Sequence, residues 1–169
     1  GEKFIERSMS SAFAQTYKNF EIIFYDNFSN DNTKKIIKSY NDKRICYYRS
    51  NKYLKLYDAR NKAIKKSKGE YITFLDIDDE WHKEKLKLQI NQFKKNNFDV
   101  CYTNYWVVKN NKKKLFKDNI ETFDINNKIL NDYPIGILTT MIKSSIFKKN
   151  FYFDESFEII GDFDFFFRI

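Results

Sequence analysis

Over the first hundred residues, apolar side chains switch repeatedly between a helical period and a strand period, and few architectures accommodate that alternation. Ile5, Met9, Ala12 and Phe13 form a helical stripe that ends near Gln15. Residues 20–25 read as a short strand, 33–40 as a helix with Ile36, Ile37 and Tyr40 on one side, and 45–48 as a second strand. A helix over 58–67 closes at Gly69, and a strand follows over 71–75. The spacing of Leu86, Ile90 and Phe93 predicts a helix over 83–95, with a further strand at 98–102. Helices interleaved with strands point to an α/β layer structure with a mainly parallel sheet.

Beyond residue 103 the regularity breaks. Residues 104–132 are polar and rich in Lys and Asn, with a hairpin predicted around Asn110 and Asn111. Regular structure returns at 137–142, in a short helix near 144–148, and in a helix running into Ile169. At 169 residues the chain suits one domain with a real core and is short for two. It opens directly on a helix, where a doubly wound sheet normally opens on a strand, and closes on a helix without a stop signal. We therefore expect one domain over 1–169, cut at both ends.

Charge narrows the partners only weakly. Thirty-one Lys and Arg against 23 Asp and Glu give +8, a balance that suits an anionic partner such as nucleic acid, a phosphorylated ligand or an acidic membrane surface. The pairs Lys34-Lys35, Lys65-Lys66, Lys94-Lys95 and Lys148-Lys149 are scattered, however, so no nucleic-acid face is expected. Excess Lys accompanies excess Asn, Ile, Tyr and Phe, as codon bias in an AT-rich genome would produce. Cys46 and Cys101 sit in apolar runs without metal-ligand spacing, which argues for two buried thiols in a reducing cytoplasm and against structural zinc. No apolar run approaches the roughly 20 residues that span a bilayer. The only histidine, His82, reads as a surface residue, so a Ser-His-Asp arrangement is not expected. Four glycines and no Gly-rich loop argue against a P-loop or dinucleotide site. Trp106 reads slightly better as core than as a platform for a sugar.

Three clusters carry candidate chemistry. The run Tyr71-Ile72-Thr73-Phe74-Leu75-Asp76-Ile77-Asp78-Asp79-Glu80-Trp81 is an apolar strand ending in four carboxylates within five residues. In an open α/β sheet, ligands collect beyond the carboxyl ends of strands. Carboxylates crowded there call for a hard cation such as Mg²⁺ or Mn²⁺, with phosphate and water completing its shell. The bland reading is that Asp78 or Asp79 caps the next helix. Asp26-Asn27-Phe28-Ser29-Asn30-Asp31-Asn32-Thr33 follows an earlier strand, either as a polar turn or with Asp26 or Asn27 on a nucleobase edge. Asp58-Ala59-Arg60-Asn61 opens a helix, where Arg60 is either solvated or positioned to neutralise a diphosphate.

Taken with Ser11-Ala12-Phe13-Ala14-Gln15-Thr16-Tyr17, these clusters form an ordered series that resembles family 2 glycosyltransferases of the GT-A fold from Phe4 to about Tyr102. Weaker similarity returns at Thr139 to Ser144, at Phe153-Asp154-Glu155 and at Gly161-Asp162-Phe163-Asp164. The resemblance implies a three-layer α/β/α sandwich of the nucleotide-diphospho-sugar transferase type. Residues 1–103 would form its nucleotide-sugar-binding half and 104–169 its acceptor-side half. It implies a metal-binding DxD element at Asp76 and Asp78, and nucleotide-sugar contacts from Asp26, Asn27, Arg60, Asn61 and Asp76. Asn27 stands where Asp is commoner, and Gly161 where Glu or Asp usually precedes the base. Asp162 matches the catalytic base of inverting members. The implied reaction is metal-dependent inverting transfer from a UDP- or GDP-sugar to a glycan or lipid-linked glycan, in surface polysaccharide or lipo-oligosaccharide synthesis. The expected setting is cytoplasmic, with basic residues able to hold the chain against the inner face of a membrane. Two rivals remain open on sequence: a nucleotidyltransferase that makes nucleotide-sugars, and a non-catalytic basic binding module.

Overall fold

A computed structural model describes residues 1–110, 112–117 and 133–169. Asn111 of the expected hairpin and residues 118–132 of the irregular stretch lie outside the described residues. Helix α1 (Glu2–Phe13) buries Ile5, Met9 and Ala12 along one stripe. Strand β1 (Ile22–Asp26), helix α2 (Thr33–Ser39) and strand β2 (Ile45–Arg49) follow. β1 and β2 pair in parallel from Ile22 opposite Ile45 to Asp26 opposite Arg49. Ile5, Met9 and Ile37 form the cluster on one face of that pair, packed against Ile22, Phe24, Ile45 and Tyr47.

Helix α3 (Leu56–Ile64) leads to strand β3 (Tyr71–Thr73), and helix α4 (Lys85–Lys95) leads to strand β4 (Val100–Cys101). Hairpin strands β5 (Trp106–Lys109) and β6 (Lys112–Leu115) come next, then β7 (Met141–Lys143), α5 (Ser144–Lys148) and α6 (Gly161–Arg168). β7 lies between β3 and β4 and runs antiparallel to both, so β3 and β4 share one direction. Its alternating side chains define the layers. Met141 joins Leu86, Ile90 and Phe93 of α4 on one face. Ile142 joins Tyr57 and Ile64 of α3, Ile72 of β3, and Phe147, Phe165 and Phe166 of α5 and α6 on the other. Helices cover both faces of the sheet, giving the expected α/β/α layering.

Two regions gain detail that the sequence pattern did not specify. The regular structure expected over 137–142 is present and divides in two. The Thr139 and Thr140 hydroxyls donate to the Gly136 and Ile137 carbonyls at 2.7 and 2.8 Å, closing a 3₁₀ turn over Ile137–Thr139 and leaving three residues for β7. Trp106 is not core, being 60% exposed on a hairpin that pairs only with itself among the described residues. Cys46 and Cys101 are free thiols, each half-buried rather than fully enclosed.

One core residue is charged in water. Lys85 is buried on α4, and its Nζ donates to Thr73 Oγ1 and Gln89 Oε1 at 2.8 Å each and to the Thr140 carbonyl at 3.3 Å. The Trp81 ring lies 4.6 Å away, and no carboxylate is among these partners. Burial pulls its pKa from 10.5 down to about 7. Between those values the unfolded chain binds the extra proton, so stability rises with pH across that window. Below about 7 both states are protonated and the slope vanishes. Lys85→Met should therefore flatten the rise in Tm between neutral and mildly alkaline pH, as read by thermal melts. An unchanged slope would show that Lys85 is not its source.

Candidate functional site

Helix α3 organises the site, because Tyr57, Arg60 and Asn61 fall three and four residues apart and so share a face. Arg60 Nη2 donates to both Asp76 carboxylate oxygens, at 2.9 and 2.7 Å. The guanidinium is 11% exposed and the carboxylate 41%, so the pair is anchored from the protein side and open on the acid side. The same guanidinium lies 5.7 Å from the Tyr57 ring.

Tyr57 connects this pair to Asp162. Its hydroxyl donates to Asp162 Oδ1 at 3.4 Å and accepts the Asp162 backbone N–H at 3.3 Å. Tyr133 donates to the other oxygen, Oδ2, at 3.2 Å. Burial, reinforced by the Asp162 charge, raises both phenol pKa values, so both remain donors at neutral pH. Asp162 therefore has both carboxylate oxygens oriented by tyrosines. Its N-terminal neighbour must be small: a Cβ on Gly161 would lie 2.5 Å from Tyr57 Cε2 and 2.7 Å from Cζ. That contact accounts for Gly161 where Glu or Asp was the commoner expectation. Gly161→Ala should push the Tyr57 ring away, costing about 1–3 kcal/mol of stability and loosening Asp162. Urea melts would register the first effect; an unperturbed melt would mean that the ring has room to yield.

At the end of β1, Asp26 is 3% exposed. The Tyr47 hydroxyl donates to its Oδ2 at 2.5 Å, the Ser29 N–H donates to Oδ1 at 2.8 Å, and Arg49 lies 3.6 Å away. Burial is the largest influence and raises the Asp26 pKa. The hydrogen bonds from Ser29 and Tyr47 and the Arg49 charge together outweigh it, holding the carboxyl below its ordinary value. Asn27 donates through Nδ2 to the Leu54 carbonyl at 2.9 Å and accepts the Leu54 N–H at 3.0 Å. Its amide thus clamps the segment entering α3, a double role that an Asp side chain could not fill because it lacks the donor. Asn61 is likewise enclosed, at 2% exposure. It donates to the Phe153 carbonyl at 2.8 Å and Glu155 Oε1 at 3.0 Å, and accepts the Phe153 N–H at 3.1 Å. The structure gives Asn61 the work of joining α3 to the segment before α6, apart from the exposed carboxylates.

The acidic loop after β3 is pinned through its backbone. Arg7 Nη2 donates to the Asp78 carbonyl at 2.6 Å, and Arg7 Nε pairs with Glu80 at 3.1 Å. The Trp81 N–H donates to Ser11 Oγ, and its indole Nε1 to the Leu138 carbonyl, at 3.1 Å each. Gln15 donates to the His82 carbonyl at 2.9 Å and accepts the Leu86 N–H at 3.1 Å. Of the carboxylates, those of Asp78 and Glu80 are exposed and those of Asp76 and Asp79 partly buried. The Asp78 side chain is exposed and has no hydrogen-bond donor among the described residues. Asp79 is pushed above its ordinary pKa by burial and then by the charges of Asp78 and Asp76. The capping alternative does not hold, since α4 begins at Lys85 with Glu84 at its N-cap and no side-chain cap bond.

The donor set fits a hard divalent cation that brings phosphate with it. Among the described residues no three His, Cys, Asp or Glu side chains group into a protein cage. Mg²⁺-type sites typically need only one or two carboxylates beside phosphate and water. Asp78 offers free oxygens, whereas Asp76 already receives Arg60.

Of the expected residues, the structure links Arg60, Asp76 and Asp162 through α3, sets Asp26 and Asn27 at the neighbouring strand end, and buries Asn61. Tyr57, Tyr133 and Arg7 were not anticipated. Tyr57 had a signal in its position three residues before Arg60. Tyr133 and Arg7 had none, since their partners lie 29 and 71 residues away.

Comparison with known proteins identifies the family and the fold. The family model described as Glycosyl transferase family 2 matches residues 1–158. The UDP-Glc:alpha-D-GlcNAc-diphosphoundecaprenol beta-1,3-glucosyltransferase WfgD of Escherichia coli is 37% identical over 148 residues, covering 86% of this chain and 57% of its own length. The uncharacterized glycosyltransferase RT0329 of Rickettsia typhi is 35% identical over 176 residues, covering 99% of this chain and 55% of its own length. The crystal structure of S. aureus TarS 1–349 in complex with UDP superposes with a TM-score of 0.78 at 24% identity, over 97% of this chain and 50% of TarS 1–349. At that identity the likeness concerns the fold, which is of the GT-A α/β type. The chain thus spans about half the length of these relatives.

Proposed function

The chain belongs to glycosyl transferase family 2, and on that premise we propose that it carries the donor site and base of a metal-dependent inverting transferase. The donor is a UDP-sugar and the acceptor is a hydroxyl on a lipid-linked glycan of surface polysaccharide synthesis. The observation that supports this reading is the chain of contacts from Asp162 through Tyr57 and Arg60 to Asp76. The name of WfgD, a glucosyltransferase acting on a diphosphoundecaprenol-linked sugar, and the UDP complex of TarS support the choice of donor and acceptor.

In this reading residues 1–103 form the donor half and 104–169 the acceptor half. Asp26 and the β1 end face the nucleoside, and the Arg60–Asp76 pair flanks the diphosphate. Asp162 accepts the acceptor hydroxyl's proton as that oxygen bonds to the anomeric carbon. The bond from that carbon to the diphosphate breaks on the opposite side, so configuration inverts and nucleoside diphosphate leaves. Tyr57 and Tyr133 hold the carboxylate in one orientation while it takes up the proton. A divalent cation, when bound at Asp78 with Asp76 nearby, supplies counter-charge for the diphosphate. Isothermal titration with a panel of UDP- and GDP-sugars, with and without Mn²⁺, tests the reading. Mn²⁺-dependent binding of UDP-sugars is expected, and heat from no nucleotide under either condition would remove it.

A further inference from the structure

The β5–β6 hairpin contributes no residue to the contacts that join Asp76, Arg60, Tyr57 and Asp162. Among the described residues it pairs with no other strand. Its root is fixed: the Phe116 N–H donates to the Tyr105 carbonyl at 3.0 Å, the two rings stack at 4.5 Å, and Asn104 donates to the Lys117 carbonyl at 2.5 Å. Beyond that root the ribbon residues are nearly all exposed, and Asn110 lies in the left-handed region at φ 50° at the turn.

Cross-strand partners share a face, so the register sorts the side chains. Trp106 opposite Leu115 and Val108 opposite Lys113 give one face that is mostly apolar. Val107 opposite Lys114 and Lys109 opposite Lys112 give another that is mostly basic. Trp106 and Val108 are each 60% exposed. No acidic residue occurs in the ribbon over 105–116, while Lys109, Lys112, Lys113 and Lys114 all do. Lys109, Lys112 and Lys114 also line a hollow of about 630 Å³ together with Val107 and Phe116. Clustered like charge beside exposed Trp and Val matches one chemistry well.

We propose that this hairpin is the docking element for an anionic lipid bilayer: its Trp106–Val108–Leu115 face lies at the headgroup boundary and its lysines reach the lipid phosphates. Trp favours that boundary, and lysine stems lie along apolar surface while their ammonium groups remain among phosphates. Charge complementarity singles out the anionic bilayer. A second copy of the chain would present the same lysines to one another, and a neutral apolar partner would leave them unmatched. Among the described residues no helix is long and apolar enough to cross a membrane, so the ribbon offers a way to reach one without spanning it. The inference extends the lipid-linked acceptor reading by bringing the site to where such an acceptor resides.

Vesicle flotation tests it, without donor or acceptor, so its outcome is separate from that of the transfer reading. The chain should float with phosphatidylglycerol–phosphatidylcholine vesicles and remain behind with pure phosphatidylcholine, and the Trp emission should shift to the blue on binding. Each lysine near an anionic surface contributes roughly a fivefold change in binding, so the triple change Lys112→Gln, Lys113→Gln, Lys114→Gln should lower vesicle affinity about 100-fold. Trp106→Ser should weaken it and remove the blue shift. Nucleotide titration of each variant verifies that the site is intact. Absence of flotation, equal binding to neutral vesicles, or loss-free binding by the triple variant would each overturn the proposal. So would binding of an oligonucleotide in place of anionic vesicles.

Discussion

Asp162→Asn is expected to lower the turnover number by roughly 10²–10⁴-fold, the range that a positioned general base supplies, while leaving the dissociation constant for donor unchanged. The substitution is close to isosteric. Its amide oxygen can still accept the Tyr57 hydroxyl now 3.4 Å from Oδ1, and the Tyr133 hydroxyl, now a donor at 3.2 Å, can rotate to accept from the new NH₂ group. The tyrosine frame should therefore survive, and a collapse in rate would report lost basicity and not lost structure. Tyr57→Phe removes one orienting bond and leaves the carboxylate, so it should sit between wild type and Asp162→Asn in turnover. Steady-state transfer kinetics beside donor calorimetry separate these cases. Wild-type turnover by Asp162→Asn would end the base assignment; weakened donor binding would move Asp162 into the donor site.

Local periodicity explains why so much of the fold was readable from sequence. Leu86, Ile90 and Phe93 repeat at helical spacing and do bury one face of α4. The short helix at Ser144–Lys148 and the Asn110 hairpin turn fall where expected, because their signals lie within a few residues of each other. Hydroxyl-to-backbone bonds at Thr139 and Thr140, which compete with strand pairing, are invisible to a hydrophobic pattern. The site was legible as a set of residue types at strand ends, less so as roles. Asn27 and Asn61 occupy expected positions, yet each amide is committed to backbone partners 27 and 92 residues away. Only the packed fold reveals such commitments. Tyr133 was hidden for the same reason, since nothing near it in sequence marks a partner for Asp162.

Asp78→Ala should remove the Mn²⁺-dependent part of nucleotide binding, a loss expected to exceed the roughly 10–100-fold caused by deleting groups that merely support a metal ligand. Structural arguments separate this outcome from simple damage. The Asp78 carboxylate caps no helix and, among the described residues, receives no donor; the Arg7 bond goes to its backbone carbonyl, which alanine retains. Its charge instead opposes ionisation of neighbouring Asp79, already disfavoured by burial. Deleting that charge should bring the Asp79 pKa back toward its ordinary value. A group whose folded pKa is raised destabilises the fold above its unfolded pKa, because the unfolded chain releases that proton more readily. Relief of the repulsion should thus leave Asp78→Ala at least as stable as wild type near neutral pH. The same substitution would make the chain insensitive to Mn²⁺ in nucleotide titrations. A carboxylate kept for a cation predicts this pairing of unimpaired melting with lost metal response. A carboxylate kept for structure predicts the reverse, a lower Tm with Mn²⁺-dependent binding retained. Thermal melts and calorimetry on a single variant therefore decide between them.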